Sequence, residues 1–337
     1  MIVLGIESSC DELSMALVED GKKILSMVTS SQIEHHLPYS GVVPELAGRL
    51  HAQHLLEVYR STLEQAGISH FDGLAVTIKP GLAGSLLVGL SFAKGLSLAK
   101  KLPLVGVDHL LAHLYAPHLA GELEYPFLGL LVSGGHTLLV LMKDPFAMSV
   151  LGTTVDDAVG EVYDKVAKFL NLGYPGGPVI DQLAQSGNDR AFHFPPGKLE
   201  KGRRPCDMSF SGLKTAVLYQ REQFRAKTVP QPSVADLVAS FQRRIIGILI
   251  DRIEKAVELT GVRRVVVGGG VAANSYLRRL AQEKTAWEWH FPPLKLCTDN
   301  GAMIAALGWE YLKQGTTHGL ELQVSSKAVR ATGDGYS

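Results

Sequence analysis

The sequence predicts an α/β protein of two similar lobes, each a mixed β-sheet flanked by helices. The chain has 337 residues, which corresponds to about two domains at roughly 150 residues each. Its 46% hydrophobic and 20% charged residues are ordinary for a protein with a large core. Most directly, the element order β-β-β-α-β-α-β-α is predicted twice along the chain, and meanders followed by βα units form mixed sheets.

The first predicted lobe covers residues 1–125 and starts with three short strands. Asp20-Gly21 is a typical turn between the second and third of them. Hydrophobic spacing, together with helix ends such as Gly67, indicates alternating helices and strands after that. The predicted strands are Ile2–Glu7, Ser14–Glu19, Lys23–Thr29, Leu74–Ile78 and Leu104–Val107. The predicted helices are Val43–Ala66, Gly84–Lys100 and Asp108–His118.

The second predicted lobe covers residues 126–315 and repeats this order. Its predicted strands are Phe127–Val132, Thr137–Met142, Ser149–Thr153 and Arg264–Val267. Its predicted helices are Asp156–Asn171, Pro178–Ser186, Ser211–Gln223, Val234–Leu259, Ala272–Lys284 and Asn300–Lys313. Duplicated lobes of this kind usually bind a ligand in a central cleft. Residues 187–209 form a loop-rich basic insertion, and residues 316–337 are expected to be a loosely ordered polar tail.

Charge and cysteine content narrow the class of protein. Lys+Arg and Asp+Glu are 33 each, so the overall charge indicates neither a nucleic-acid nor a membrane partner. Basic residues nevertheless collect between Arg190 and Lys227, where a local basic surface is possible. Three widely spaced cysteines form no disulfide framework and suit a reducing cytosol. The segment Met1–Glu7 has no basic region, so we expect no signal peptide and a cytoplasmic protein without membrane segments.

His109 and His113 are the clearest candidate metal ligands. They lie four residues apart on a predicted helix, a spacing that places both imidazoles on one face, close enough to share a metal ion. Two ordinary half-buried histidines would show the same spacing, and both interpretations stay open. A zinc peptidase of the HExxH type needs a glutamate directly after the first histidine, and this chain has Leu110 there.

Carboxylates gather after the first strand, where Glu7, Asp11 and Glu12 share one turn with two serines. Crowded carboxylates favour a bound cation or a raised pKa, although a solvated turn would look the same. Asp164 lies too far into its helix to serve the helix dipole. Asp299 precedes the last helix, where an N-cap is its most ordinary role.

Three glycine-rich turns are candidate ligand-binding loops. Leu131-Val132-Ser133-Gly134-Gly135 can turn backbone N–H groups toward an anion, although it also reads as a plain hairpin. Val265–Asn274 is a strand running through three glycines into a helix, which suits a phosphate or a flat ring but is not the dinucleotide fingerprint. Asn171–Asp181 is a third such loop.

Taken in order, these segments resemble the bacterial TsaD family, the tRNA threonylcarbamoyladenosine transferases, formerly described as glycoproteases. The resemblance covers about residues 1–315 and depends on GIESSCDE, YSGVVPELAGRLH, DHLLAH, LVSGGHT, DDAVGEVYDK, YPGGP, SFSGLKTA, GGGVAAN and CTDNGAM. The chain departs from the family pattern at Lys79, where glycine is usual, and at Val162, where alanine is usual.

The resemblance implies an actin-like ATPase (ASKHA, RNase H-like) fold and a specific reaction. The threonylcarbamoyl group would pass from threonylcarbamoyl-adenylate to N6 of adenosine 37, in tRNAs that read codons beginning with A, with release of AMP. It also implies a metal, Fe²⁺ favoured and Zn²⁺ possible, held by His109, His113 and Asp299, with Mg²⁺ possible beside a bound nucleotide. The implied adenylate-binding residues are Leu131, Val132, Ser133, Gly134, Gly135, Asp164, Gly177, Asp181 and Asn274.

The implied reaction also needs an acceptor for the amine proton. Glu7, Asp11 and Glu12 are alternatives for taking this proton or binding a second cation, with Asp11 and Glu12 as the candidate catalytic residues. The implied partners are tRNA, the dimerising paralogue TsaB and the ATPase TsaE. Arg190–Lys227 is the candidate tRNA-facing surface.

Three rival classes remain on the sequence alone. An ATP-dependent small-molecule kinase or ATPase would share the fold. A metallopeptidase is disfavoured by Leu110. A non-catalytic scaffold such as TsaB would lack the histidine pair that this chain has.

Overall fold

A computed structural model describes residues 1–39, 41–197, 199–225 and 233–327, without the side chains of residues 221–225. Across these residues, ten strands form two five-stranded sheets with helices beside them. The chain divides into two compact units: unit 1 holds residues 1–124, 144–148 and 292–337, and unit 2 holds residues 125–143 and 149–291. The predicted α/β class with two mixed, helix-flanked sheets is confirmed.

Unit 1 contains a sheet of strand order β3-β2-β1-β4-β5. The first three strands pair antiparallel, whereas β4 and β5 join in parallel. Its elements are β1 (Ile2–Glu7), β2 (Glu12–Glu19), β3 (Lys23–Ser31), α1 (Ile33–His36), α2 (Pro44–Ala66), β4 (Gly73–Lys79), α3 (Ala83–Lys100), β5 (Leu104–Asp108) and α4 (His109–Tyr115). The core lies between this sheet and the apolar faces of α2 and α3.

Unit 2 contains a sheet of strand order β10-β9-β6-β7-β8. Strands β6 and β9 are parallel, so their carboxyl ends lie at the same edge. Its elements are β6 (Phe127–Val132), β7 (Thr137–Met142), β8 (Met148–Thr153), α5 (Val159–Leu170), α6 (Gly176–Ala184), α7 (Ser211–Arg225), α8 (Val234–Thr260), β9 (Arg264–Gly268), α9 (Ser275–Glu283) and β10 (Glu288–His290). The short edge strand β10 is not predicted from the sequence.

The last helix, α10 (Gly301–Lys313), lies in unit 1, although the sequence pattern groups it with the second lobe. It packs against β1, β2 and β4 through small residues. A side chain at Gly5 would collide with the backbone of Gly301 and Ala305, so the strand and the helix approach very closely. The domain boundary expected at residue 315 therefore differs from the observed division.

The start of α5 also differs from the prediction. The helix begins at Val159 rather than at Asp156. The carboxylate of Asp156 instead accepts hydrogen bonds from the backbone N–H groups of Phe210 and Ser211, at 2.8 Å and 3.3 Å. Asp156 is thus used to hold the beginning of α7, a long-range role that local helix signals do not reveal.

The expectation of a loosely ordered tail is wrong for residues 316–327, which pack against unit 1. The N–H of His318 donates to the carbonyl of Leu104 at 2.7 Å, and that of Ser325 donates to Ile78 at 2.9 Å. The side chains of Leu322 and Val324 pack on the core. Residues 328–337 lie outside the described residues. In the described part of the chain, no helix is both long enough and apolar enough to span a membrane.

Candidate metal centre and nucleotide-binding residues

Helix α4 positions the two candidate histidines. Asp108, at the end of β5, caps the helix by accepting hydrogen bonds from the N–H groups of Leu110 and Leu111. Lys79, where the chain departs from the family pattern, has its Nζ 3.9 Å from the Asp108 carboxylate. His109 and His113 follow one turn apart, both buried, with ring centroids 4.5 Å apart.

Asp299 completes a group of three candidate ligands. Its Oδ1 lies 3.0 Å from Nε2 of His113 and 3.5 Å from Nε2 of His109. One ligand atom from each residue lies within 4.8 Å of the others. The N-cap of α10 is Asn300, which accepts the N–H of Met303 at 3.0 Å. The N-cap role considered for Asp299 therefore falls to its neighbour, and the Asp299 carboxylate reaches the imidazoles.

The chemistry of these donors fits a divalent transition metal. Two imidazole nitrogens and one carboxylate oxygen are the set that iron and zinc sites use, with further coordination positions left for a substrate. The geometry thus favours the metal interpretation of the histidine pair over two ordinary buried histidines.

Glu7 supports His109 from the side opposite Asp299. Its Oε2 lies 3.0 Å from Nδ1 of His109 and also accepts the hydroxyl of Thr77 at 2.6 Å. Oε1 accepts the N–H of Ser9, also at 2.6 Å. Sequence reasoning names Glu7 only as a proton acceptor or cation ligand. The signal for this role is a carboxylate that ends an otherwise apolar buried strand.

These contacts shift the pKa values of both histidines. Burial alone would lower the pKa of His109, but the charges of Glu7 and Asp299 outweigh burial and raise it to about 9. Burial lowers the pKa of His113, and the neighbouring charge of His109 adds to this effect. His113 is therefore the more readily neutral of the two imidazoles.

Of the candidate catalytic residues, Asp11 lies on the turn between β1 and β2, and Glu12 is the first residue of β2. Burial raises the pKa of Glu12 to about 8, and the negative charges of Asp299 and Asp11 act in the same direction. A carboxyl group whose pKa lies near neutrality can exchange a proton at physiological pH. Of the two residues, the electrostatics favour Glu12.

In unit 2, the candidate adenylate-binding residues lie near the carboxyl ends of β6 and β9. The turn Ser133–Gly135 follows β6, and a Cβ at Gly134 or Gly135 would meet open space. The N–H of Gly160 donates to the carbonyl of Ser133 at 3.2 Å, which joins this turn to the beginning of α5. In open α/β sheets, ligands bind at this edge.

Asp181 and Asn274 lie in direct contact. The Asp181 carboxylate accepts hydrogen bonds from the Asn274 amide at 3.1 Å and from the N–H and hydroxyl of Ser275 at 3.0 Å and 2.9 Å. Gln242 donates to the same carboxylate at 3.0 Å. Gln242 and Ser275 are absent from the sequence-based set; the available signal is a glutamine on the buried face of α8.

Asn274 differs from its expected role in one respect. Its Oδ1 accepts the N–H of Leu277 at 2.9 Å, which caps α9, while its amide group donates to Asp181 and Gln242. Asp164 accepts the N–H of Gly176 at 2.7 Å and holds the beginning of α6, beside Gly177. A Cβ at Gly177 would meet open space.

Comparison with known proteins identifies the family. Residues 23–306 match the model of TsaD, described as tRNA N6-adenosine threonylcarbamoyltransferase. The chain belongs to the TsaD family. It is 50% identical over 329 residues to the tRNA N6-adenosine threonylcarbamoyltransferase of Treponema denticola, with 97% of each chain covered. It is 49% identical to the enzyme of the same name from Thermosipho africanus, with 94% of this chain and 96% of the relative covered.

Solved structures agree on the fold. HypF from T. kodakarensis superposes on 94% of this chain with a TM-score of 0.61 at 15% identity, and this chain covers 48% of HypF. Component A of (R)-2-hydroxyglutaryl-CoA dehydratase from Acidaminococcus fermentans superposes on 93% of this chain and 99% of its own, with a TM-score of 0.54 and 15% identity. At this identity the likeness concerns the fold alone, and it agrees with the predicted class.

In this TsaD family member, only some of the basic side chains of Arg190–Lys227 are available to a partner. Arg203 is 46% exposed and lies 3.6 Å from Glu200. Arg204, by contrast, donates from Nη1 to the carbonyl of Val150 at 3.2 Å, so it serves the local structure. Lys198 and Lys227 lie outside the described residues, and so do the side chains of Arg221 and Arg225.

Proposed function

We propose that this chain transfers the threonylcarbamoyl group of threonylcarbamoyl-adenylate to N6 of adenosine 37 in tRNAs that read codons beginning with A, with release of AMP. Close relatives carry the name of this enzyme over nearly their whole length. The observation that carries the proposal to this chain is the convergence of His109, His113 and Asp299. A non-catalytic scaffold of the TsaB type would not need this group of three metal ligands.

The metal group would hold the threonylcarbamoyl end of the substrate. The proposed ligands are Nε2 of His109, Nε2 of His113 and a carboxylate oxygen of Asp299, and the donor set suits Fe²⁺ first and Zn²⁺ second. When bound, such an ion acts as a Lewis acid that polarises a carbonyl group. Burial of the two histidines keeps water away from them and limits competing hydrolysis.

Taken by themselves, the unit 2 residues offer groups that suit an adenylate. Within Leu131–Gly135, the backbone N–H groups of Gly134 and Gly135 suit the phosphate, because a Cβ at either position would meet open space, whereas the N–H of Ser133 already donates to the carbonyl of His136 at 2.8 Å. Asp181, held by Asn274 and Ser275, is a preorganised carboxylate that can accept from ribose hydroxyl groups. Asp164 and Gly177 would complete the set of residues that contact the adenylate. We include in this proposal a Mg²⁺ ion beside the bound nucleotide.

Proton removal from the attacking amine is the remaining task. The mixed anhydride already has a good leaving group, so positioning of the two reactants supplies much of the rate. Glu12, with a pKa of about 8, is the candidate acceptor of the amine proton. Asp11 would act beside it, by keeping that pKa high through its charge.

The proposed partners follow from the reaction. Transfer requires tRNA, and the exposed part of Arg190–Lys227 is the candidate surface for its phosphates. By family resemblance, we also propose a TsaB-type paralogue and a TsaE-type ATPase as protein partners. The proposed location is the cytoplasm, where these components would meet.

The test is mass spectrometry of digested tRNA after incubation with threonylcarbamoyl-adenylate, together with measurement of AMP release. The wild-type chain, supplied with its proposed partners, should form t6A, and His109→Ala should not. His70→Ala is the matched control, because His70 is an exposed histidine in the same unit. A phosphorylated small molecule or a cleaved peptide without modified tRNA would favour the kinase or peptidase alternatives. Full activity of His109→Ala would mean that the metal group of His109, His113 and Asp299 is not needed for the reaction.

A further inference from the structure

Glu7 is a buried carboxylate whose role is not accounted for by the transfer reaction itself. It is completely buried at the end of β1, where the preceding strand residues are apolar. A charged group removed from water is costly unless it is paired and hydrogen-bonded. Its partners therefore indicate what the residue does.

Both oxygens of Glu7 accept hydrogen bonds. Oε1 accepts the backbone N–H of Ser9 at 2.6 Å. Oε2 lies 2.6 Å from the hydroxyl of Thr77, whose other acceptor, the carbonyl of Ile6, is more distant at 3.3 Å. Hydrogen-bond donors thus meet both oxygens of Glu7, which serves as an acceptor at each of them.

The contact between Glu7 and His109 therefore determines which nitrogen of the imidazole carries its proton. Nδ1 of His109 lies 3.0 Å from Oε2 of Glu7 and 3.3 Å from the hydroxyl oxygen of Ser9. Because a carboxylate can only accept, the contact with Glu7 requires Nδ1 to be the protonated nitrogen, and the Ser9 oxygen can accept from the same N–H. The lone pair of the neutral imidazole is then on Nε2, the atom that faces Asp299 at 3.5 Å.

His113 is held differently. Its Nε2 faces Asp299 at 3.0 Å, but its Nδ1 is buried and has no hydrogen-bond partner in the described part of the chain. The two histidines thus differ at Nδ1. A carboxylate contacts Nδ1 of His109 and orients its ring, whereas no such contact orients the ring of His113.

We propose that Glu7 is a positioning residue that holds His109 in the Nδ1–H form, with Nε2 directed to the metal, and thereby sets the metal affinity of the site. This inference rests on the metal role in the proposed function. Loss of a carboxylate partner behind a ligating histidine typically costs about 10–100-fold in metal affinity.

The main experiment measures the dissociation constant of Zn²⁺ by chelator competition on the purified full chain, without tRNA or adenylate. Glu7→Gln keeps the side-chain volume and removes the charge, and we expect it to weaken Zn²⁺ binding by about 10-fold or more. Glu57→Gln is the matched control, because the Glu57 carboxylate faces Nδ1 of His54 at 3.5 Å on an exposed part of α2. It should leave the affinity unchanged.

A double-mutant cycle separates positioning from general damage to the fold. If Glu7 acts through His109, then Glu7→Gln should have no further effect on Zn²⁺ affinity in a His109→Ala background. It should keep its full cost in a His113→Ala background. Equal costs in both backgrounds would show a merely structural role and overturn the proposal.

A measurement on the wild-type chain covers the case in which Glu7→Gln does not fold. In the Zn²⁺-loaded chain labelled with ¹⁵N-histidine, His109 should give an Nδ1–H resonance that exchanges slowly with solvent and disappears in His109→Ala. Absence of that resonance, absence of Zn²⁺ binding by the wild type, or wild-type affinity in Glu7→Gln would each overturn the proposal. Glu7-dependent Zn²⁺ binding in a chain that transfers nothing would overturn only the proposed function.

Discussion

Nε2 of His113 lies 3.0 Å from Oδ1 of Asp299, although the two residues are 186 positions apart in the chain. The contact exists because α4 and α10 pack against each other beside the sheet of unit 1. The candidate metal group therefore depends on the position of the last helix, and Asp299, two residues before that helix, is the residue to change first.

Asp299→Asn should abolish metal binding with little effect on folding. The amide keeps the size of the side chain but is a poor ligand for iron or zinc. We expect the metal content of the purified chain, measured by elemental analysis, to fall to background. Transfer should fall by more than the roughly 100-fold that loss of an outer-shell partner costs.

Asp72→Asn is the control for this change. Asp72 also lies 3.5 Å from a histidine, His70, but both side chains are exposed. A metal content in Asp299→Asn equal to that of the control would exclude Asp299 as a ligand.

Asp181→Asn should weaken binding of the adenylate without removing the metal. Asp181 accepts hydrogen bonds from three side chains and one backbone N–H. Hydrogen bonds to a charged group contribute about 1.5–3 kcal/mol each, so loss of one that reaches the ligand should raise the Kd of AMP by about 10-fold or more. Isothermal titration calorimetry with AMP measures this change.

Asp189→Asn tests whether that effect is specific. Asp189 accepts the hydroxyl of Tyr276 at 2.9 Å, so it holds the same helix, α9, by a different contact. We expect unchanged AMP binding in this variant. Equal losses in both variants would mean that Asp181 acts only by supporting the helix.

Asp156→Asn should destabilise the chain in a pH-dependent way. Burial opposes ionisation of Asp156, but hydrogen bonds from residues 209–211 outweigh it and lower the pKa of the carboxyl group. Because the pKa is lower in the folded state, ionised Asp156 stabilises the fold above its ordinary value near 3.9, and this stabilisation is lost as the pH falls through the folded value. The variant should lose about 1–2 kcal/mol in the free energy of unfolding at pH 7.

Chemical denaturation at several pH values measures this difference. The difference in the free energy of unfolding between the wild type and Asp156→Asn should become smaller once the pH falls below about 4. Asp251→Asn, at an exposed position of α8, is the control and should show no gap. A gap that stays constant with pH would mean that the charge of Asp156 is not what stabilises α7.

Arg203→Glu should weaken tRNA binding and reduce its dependence on salt. The Arg203 side chain is nearly half exposed, and each lost phosphate contact lowers the magnitude of the slope of log K against log salt by about 0.9. The effect is measured by filter binding over a salt series. Arg204 is a poor site for this test because it hydrogen-bonds Val150.

Lys23→Glu is the matched charge reversal. Lys23 is an exposed cation that pairs with Glu19 at 3.0 Å in unit 1. Unchanged affinity and slope in Arg203→Glu, or the same change in Lys23→Glu, would mean that Arg203 lies outside the tRNA surface.

Much of the fold could be predicted because strands and helices are read from local patterns. The strands β1, β6 and β7 have the predicted bounds. Most helices begin or end within a few residues of their own predicted bounds. The sequence does not predict β10, because three residues carry too little periodicity to be distinguished from a loop. Residues 316–327 are mostly polar, so the sequence predicts a loosely ordered tail, whereas in the structure Leu322 and Val324 pack against the core of unit 1.

For the candidate site, sequence alone determined the chemistry that each segment offers: a histidine pair on one helical face, glycine turns after strands, and a family resemblance that includes Asp299. Only the tertiary structure decided which of these groups meet. Glu7, Thr77 and His109 come together because β1, β4 and β5 are neighbours in one sheet. The physical reason is that helical and strand spacing is set by local backbone geometry, whereas contacts between distant residues depend on strand order and packing, which no local pattern contains.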